Sequence, residues 1–191
     1  MSWNGYENNV LLRNDGNHPD DGIPRFVDVG MALGADDVYD ARGVAVADFD
    51  NDGDLDIVIN HSQGDNPRDE AGGVPAVLYR NELGSSRPFF AVELSGRESP
   101  HQAAGAVVRL RAAGTVQTRL LDVGSAYASQ QSDRLHFGLG DADRVDEVTV
   151  HWPSGLVESF ADLPAARVLH VEEGTSSRLA SLPRSPPAGG G

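Results

Sequence analysis

The run Asp48-Phe49-Asp50-Asn51-Asp52-Gly53-Asp54-Leu55-Asp56 places an aspartate at every second position. Carboxylates packed this closely oppose one another's ionisation unless a cation neutralises them. Calcium suits such a cluster, because it takes six to eight oxygen ligands at roughly 2.3–2.6 Å. Magnesium prefers fewer protein ligands and more water. The side chains of Asp48, Asp50, Asp52 and Asp56 can converge on one point if the backbone curls around it. Gly53 permits the sharp bend. Asp54 is then placed to offer its backbone carbonyl. The expected metal residues are therefore Asp48, Asp50, Asp52, Asp54 and Asp56, with Ca2+ as a structural ion. An EF-hand is excluded, since that loop needs a bidentate Glu at its twelfth position, and here Ile59 occupies it.

Other chemistry finds less support. A glycosidase-like acid pair needs two carboxyls facing a cleft about 5–10 Å apart, which clustered ligands do not provide. His136, His151 and His170 fall on three predicted strands without His-x-x-x-His spacing, and read as solvent-facing. Ser125 and Ser154 lack the Gly-x-Ser-x-Gly elbow of a nucleophile. Ser154 sits between Pro153 and Gly155 and reads as a tight turn, while Trp152 reads as a core anchor. The sequence thus predicts no enzyme. With no cysteine in 191 residues, disulfides, thiolate metal sites and cysteine catalysis are excluded. A formal net charge of −14 disfavours nucleic acid and anionic membrane surfaces as partners.

The elements that must hold the aspartate run are strands. Period-two alternation recurs and helical periodicity is almost absent. Val44-Ala45-Val46-Ala47 leads into the run, and Leu55 to Ile59 leads out. Val108, Leu110 and Ala112 share one face, with Arg109 and Arg111 on the other. Leu135, Phe137 and Leu139 oppose Arg134, His136 and Gly138. Val148, Val150 and Trp152 oppose Thr149 and His151. Turn signals separate these runs at Asn51-Asp52-Gly53, Ala113-Gly114, Gly140-Asp141 and Pro153-Ser154-Gly155. The 22 Gly and 11 Pro fit an all-β chain of short strands. Arg109, Arg111 and Arg119 suggest a basic stripe for docking onto an acidic partner.

Val10-Leu11-Leu12-Arg13-Asn14 is echoed by Val77-Leu78-Tyr79-Arg80-Asn81, and Arg25-Phe26-Val27-Asp28-Val29 follows the first copy. Such echoes suggest propeller blades or solenoid repeats. Composition shifts near Pro88, from Asp-, Asn- and Gly-rich to longer strands. The expected layout is a propeller-type repeat region over 1–87, a second β-domain over 88–175, and a disordered tail over 176–191. No apolar run approaches the ~18 residues of a membrane helix. The N-terminus lacks a signal-peptide pattern, so any export signal is expected outside this chain.

Arg42-Gly43-Val44-Ala45-Val46-Ala47 followed by Asp48 to Ile59 resembles the FG-GAP/VCBS repeat of integrin-type β-propellers. The second half resembles the ASPIC/UnbV domain of the cartilage acidic protein family. Its carriers are Gly105 to Leu110, Gln117-Thr118-Arg119, Ser125 to Gln130, Leu135 to Gly140, Val145-Asp146 and Trp152 to Gly155, within about 95–173. His101-Gln102-Ala103-Ala104-Gly105 lacks the family's charged Arg-Asp pair, which predicts a looser loop if that pair is a brace. The resemblance implies partial β-propeller-type repeats followed by a β-sandwich-like ASPIC/UnbV domain. It also implies calcium in the propeller loop, an extracellular or cell-surface setting, and adhesion to a protein or carbohydrate partner. The alternative is an accessory or catalytic component of polysaccharide or secondary-metabolite processing. A propeller needs several blades, so the remaining blades are expected in a longer chain or a partner.

Overall fold

The computed structural model describes residues 8–37, 39, 41–61, 76–82, 87–124 and 126–182. Strand is their dominant regular structure, as the alternation predicts. The short helix α1 (Gly30–Leu33) is the one helical element among the described residues. The chain divides into two compact units, Met1–Val44 with Val58–Tyr79, and Ala45–Ile57 with Arg80–Gly191. The aspartate run falls in the second.

In the first unit, β1 (Leu12–Asn17) pairs antiparallel with β2 (Pro24–Asp28), with an irregularity between Asn14 and Asn17. All residues of both strands are exposed. The ribbon is held locally: Asn14 Oδ1 accepts from the Gly16 N–H and Asp21 Oδ1 from the Ile23 N–H. Asp37 forms a second centre in this unit. Its Oδ1 accepts from Asn9 Nδ2 and from the Tyr39 N–H, and lies 3.3 Å from Nε2 of buried His61. Its Oδ2 accepts from the Tyr79 hydroxyl. Burial, with the neighbouring Asp37 carboxylate, pushes the Tyr79 phenol up to about 12. The strands β3 (Ala41–Ala47), β4 (Asp56–His61) and β5 (Ala76–Tyr79) form a sheet in order β3-β4-β5, of which Ala45–Ala47 and Asp56–Ile57 belong to the second unit.

The second unit contains a sandwich. One sheet has the order β11-β10-β7-β8, built from β7 (Val107–Ala112), β8 (Thr115–Leu120), β10 (Arg144–His151) and β11 (Val157–Pro164). The other has the order β13-β12-β6-β9, built from β6 (Phe89–Ser95), β9 (Leu135–Gly138), β12 (Arg167–Glu172) and β13 (Ser176–Ala180). Pairing is antiparallel except between β6 and β12, which run parallel. Both sheets feed one hydrophobic core. Val108, Leu110, Val148 and Val150 of the first sheet meet Phe90, Val92, Phe137 and Val171 of the second. Trp152 joins this core at 4% exposure, and its Nε1 donates to Glu158 Oε2.

Three expectations need correction here. Ser176–Ala180 is not tail but the edge strand β13, paired with β12 from Val168↔Ala180 to Glu172↔Ser176. Edge strands carry a weak apolar signal, and this one offers only Leu179 and Ala180. The basic stripe is also split. Ala113 (φ 45) and Gly114 (φ 78) form a two-residue hairpin turn whose two positive φ values match the twist of the strands. That turn sets Arg119 opposite Val108, so Arg119 lies on the core side of its sheet. There its guanidinium sits 5.5 Å from the Phe137 ring centroid. Arg111 lies on the other face, with Asp146 and Glu147 each 3.4 Å away. The third correction concerns the histidines. His151 is exposed, but His136 and His170 are half-buried, because the outer face of β6 and β9 is covered. The segment His101–Gly105 is braced by backbone bonds, from the Ala103 N–H to the Pro100 carbonyl and from the Gly105 N–H to the Leu121 carbonyl. A buried Ala103 at φ 53 sits between them.

Candidate metal centre

The cover over β6 is the aspartate loop itself. A central strand with one open face would alternate in burial, yet Phe89, Phe90, Ala91, Val92 and Leu94 are all buried. Phe90 and Val92 face the sandwich core. Phe89 meets Gly53 on the opposite face. A Cβ on Gly53 would lie 2.4 Å from Phe89 Cε1, and its φ of 101 is one that side chains rarely adopt. Glycine is therefore required at this bend twice over.

The bend turns the carboxylates inward. Oxygen atoms of Asp48, Asp50 and Asp56 lie within 4.8 Å of one another. Two oxygens bound to one calcium ion can stand at most roughly 5.2 Å apart, twice the longest usual bond. The spacing therefore fits a shared ion. All three residues offer hard anionic oxygens, and Asp56 is only 1% exposed.

The loop's own N–H groups orient these side chains. Asp48 accepts from the Asp52 and Gly53 N–H groups, and Asp50 accepts from Asp52. Asp56 closes the loop by accepting from the N–H groups of Phe49 (2.9 Å) and Asn81 (2.8 Å). Each carboxylate oxygen has a second lone pair for a cation. Burial raises the Asp48 carboxyl above the usual range, aided by neighbouring Asp52 and opposed by the backbone donors and Arg134. A divalent ion would relieve that conflict. Arg80 adds a weaker counter-charge, its Nη1 lying 3.7 Å from Asp50 Oδ2.

Asp52 and Asp54 are placed differently. The Asp52 side chain accepts from the Asp54 N–H and Asp54 is buried, but neither joins the carboxylate cluster. Ser154 lies in its predicted turn, where its hydroxyl donates to Glu173. Ser125 lies outside the described residues.

Several residues near the loop escaped the sequence reading. Arg134 donates to Glu93 Oε1 at 2.7 Å and to Asn51 Oδ1 at 3.2 Å. Gln131 accepts from the Val46 N–H. His136 stacks on Phe89, with ring centroids 5.5 Å apart and 11° between planes. Burial, with Arg119 and Arg134 nearby, pushes its imidazole down to about 4. Arg134 and His136 line a cleft of about 370 Å³ whose walls also include Asp48, Asn51 and Glu93. Arg134 alternates with buried Leu135 in sequence, which marks it as outward-facing without revealing what covers that face.

Beyond the geometry, the sequence has recognisable relatives. Residues 96–178 match the family model described as ASPIC and UnbV. The match begins just after β6 and ends within β13, so β6 and the aspartate loop lie outside it. Cartilage acidic protein 1 of Mus musculus is 31% identical over 117 residues, covering 61% of this chain and 17% of the relative. The Homo sapiens protein of the same name is 30% identical over 117 residues, covering 61% and 16%. That of Xenopus tropicalis is 28% identical over 120 residues. The chain thus spans about a sixth of the length of these relatives.

Proposed function

We propose that this chain is part of a calcium-stabilised, non-catalytic extracellular recognition protein. In this reading residues 1–87 are FG-GAP/VCBS propeller-type repeat sequence and the ASPIC/UnbV-matching sandwich follows them. The observation that carries the proposal is the convergence of Asp48, Asp50 and Asp56 at a glycine-dependent bend. Those three side chains would hold the ion, with Asp52 and Asp54 completing the loop. Bound calcium would neutralise the carboxylates and lock the loop; the chain's residues then serve stability and surface shape. The relatives' name, which places them in cartilage, supports an extracellular setting. Among the described residues no helix is long and apolar enough to cross a membrane. The partner is a cell-surface or matrix protein or carbohydrate, and further propeller blades would cover the first unit's exposed strands.

Extracellular calcium modules bind at about 10⁻⁴–10⁻³ M. Calorimetric titration of the intact chain with calcium is expected to give an affinity in that range, abolished in Asp50→Ala. Heat of binding unchanged by Asp50→Ala would remove the site. Screening glycan and matrix-protein arrays with and without calcium would identify the partner class.

A further inference from the structure

Asn51 lies in the aspartate loop between Asp50 and Asp52. Asn51 has a φ of 60, in the left-handed region that asparagine tolerates but does not prefer. Its Oδ1 accepts from Arg134 Nη1 at 3.2 Å. Arg134 is itself oriented, since its Nε donates to Glu93 Oε1 at 2.7 Å. The other oxygen of Glu93 lies 2.7 Å from His170 Nδ1. These three side chains are 26–33% exposed, so the relay is partly shielded from water. It runs from β12 through β6 to the residue preceding β9, and ends on the loop. Gly53 against Phe89 seats the loop on the same unit, and just before the loop the Val46 N–H of β3 donates to Gln131 Oε1.

We propose that Arg134 is the positioning residue of the calcium loop, holding Asn51 in its left-handed turn so that Asp48, Asp50 and Asp56 converge before an ion arrives. This rests on the calcium reading above. The sandwich would then supply part of the calcium affinity of a loop that contains none of its residues.

The sign of the effect distinguishes positioning from charge. A nearby guanidinium repels a divalent cation. If Arg134 acted only through its charge, removing it would tighten calcium binding, and a lysine would behave like the arginine. If it acts through its fork on Asn51 and Glu93, both changes weaken binding.

Calcium affinity should be measured by calorimetry on the intact chain for wild type, Arg134→Lys, Arg134→Gln, Asn51→Gly and Asn51→Gly/Arg134→Lys. Circular dichroism and urea midpoints would confirm that each is folded. Arg134→Lys and Arg134→Gln are each expected to weaken binding by about tenfold, the order of a hydrogen bond to a charged group. Glycine adopts the left-handed turn unaided. In the Asn51→Gly background the lysine substitution should therefore change affinity by less than about twofold, the mark of coupling between the two sites. The Asn51→Gly pair also serves if Arg134→Lys folds poorly on its own. Tighter binding in Arg134→Gln, or an unchanged affinity in Arg134→Lys, overturns the proposal while leaving the calcium site intact. An equal loss in both backgrounds also overturns it, because Arg134 would then act by another route. A wild type that binds no calcium overturns both the site and its positioning.

Discussion

Leu12 and Phe26, in the β1–β2 ribbon, are 56% and 55% exposed, whereas Phe90 and Phe137 in the sandwich are 0% exposed. Similar apolar residues thus do different work in the two regions. The ribbon is held by bonds between residues close in sequence, such as those from Gly16 to Asn14 and from Ile23 to Asp21. A two-stranded ribbon of this kind is marginal on its own. The sandwich is held by burial between two four-stranded sheets, worth roughly 1.5–3 kcal/mol for each large side chain. The lesson is that apolar strand content does not by itself mark a core; a second layer does. The aspartate loop illustrates this, because by covering β6 it turns an outer face into an interior.

Paired truncations should separate the two regions most strongly. Phe90→Ala is expected to cost about 3–5 kcal/mol in urea unfolding, while Phe26→Ala should stay within about 0.5 kcal/mol. Similar costs at both sites would show that the ribbon is packed in solution.

A smaller effect is expected where the loop meets the sheet. Gly53→Ala forces a Cβ onto the Phe89 ring at a positive φ, and should cost about 1–3 kcal/mol. It should weaken calcium binding as well. A variant with normal stability and affinity would mean that the loop does not seat on Phe89.

Acid sharpens the contrast differently, through Glu173 in the sandwich. This residue is 3% exposed. Its Oε2 accepts from the N–H groups of Arg97, Glu98 and Ser99, and its Oε1 from the hydroxyls of Ser99 and Ser154. Burial alone would raise the carboxyl, but these donors pull it from 4.5 down to about 2. The unfolded chain therefore binds this proton more readily than the folded one. The resulting stability is complete above pH 4.5 and is lost as pH falls toward 2. In Glu173→Gln this acid-dependent component of the unfolding curve should vanish. An identical pH dependence in variant and wild type would remove the assignment.

The smallest effects concern the divided arginines. Arg111→Ala removes only exposed ion pairs and should cost below about 0.5 kcal/mol. Arg119→Ala, which uncovers Phe137, should cost roughly 0.5–1 kcal/mol. Equal values would show that the Arg119 contact with Phe137 adds no stability.

The sandwich strands were legible because Val108, Leu110 and Ala112, and Val148, Val150 and Trp152, alternate as one-sided strands must. The loop was legible because carboxylate density and Gly53 have few physical uses. β6 was not, since a strand covered on both faces has no alternation to read. The parallel pairing of β6 with β12 joins segments far apart in sequence, and no local signal records it. Arg119 was misplaced because its side is set by the register of the Ala113-Gly114 turn, not by its charge. The relay from His170 through Glu93 to Arg134 is likewise a product of tertiary packing.

Asp48, Asp50 and Asp56 are proposed above to hold one calcium ion. Thermal unfolding of the intact chain, in chelator and in about 1 mM calcium, reads out that binding as added stability. With a dissociation constant of about 0.1 mM, binding adds about 1.4 kcal/mol, a rise of about 4 °C in Tm. Asp50→Asn, which keeps an acceptor but loses the charge, should show almost none of this rise. Identical melting of the wild type in chelator and calcium would contradict the claim.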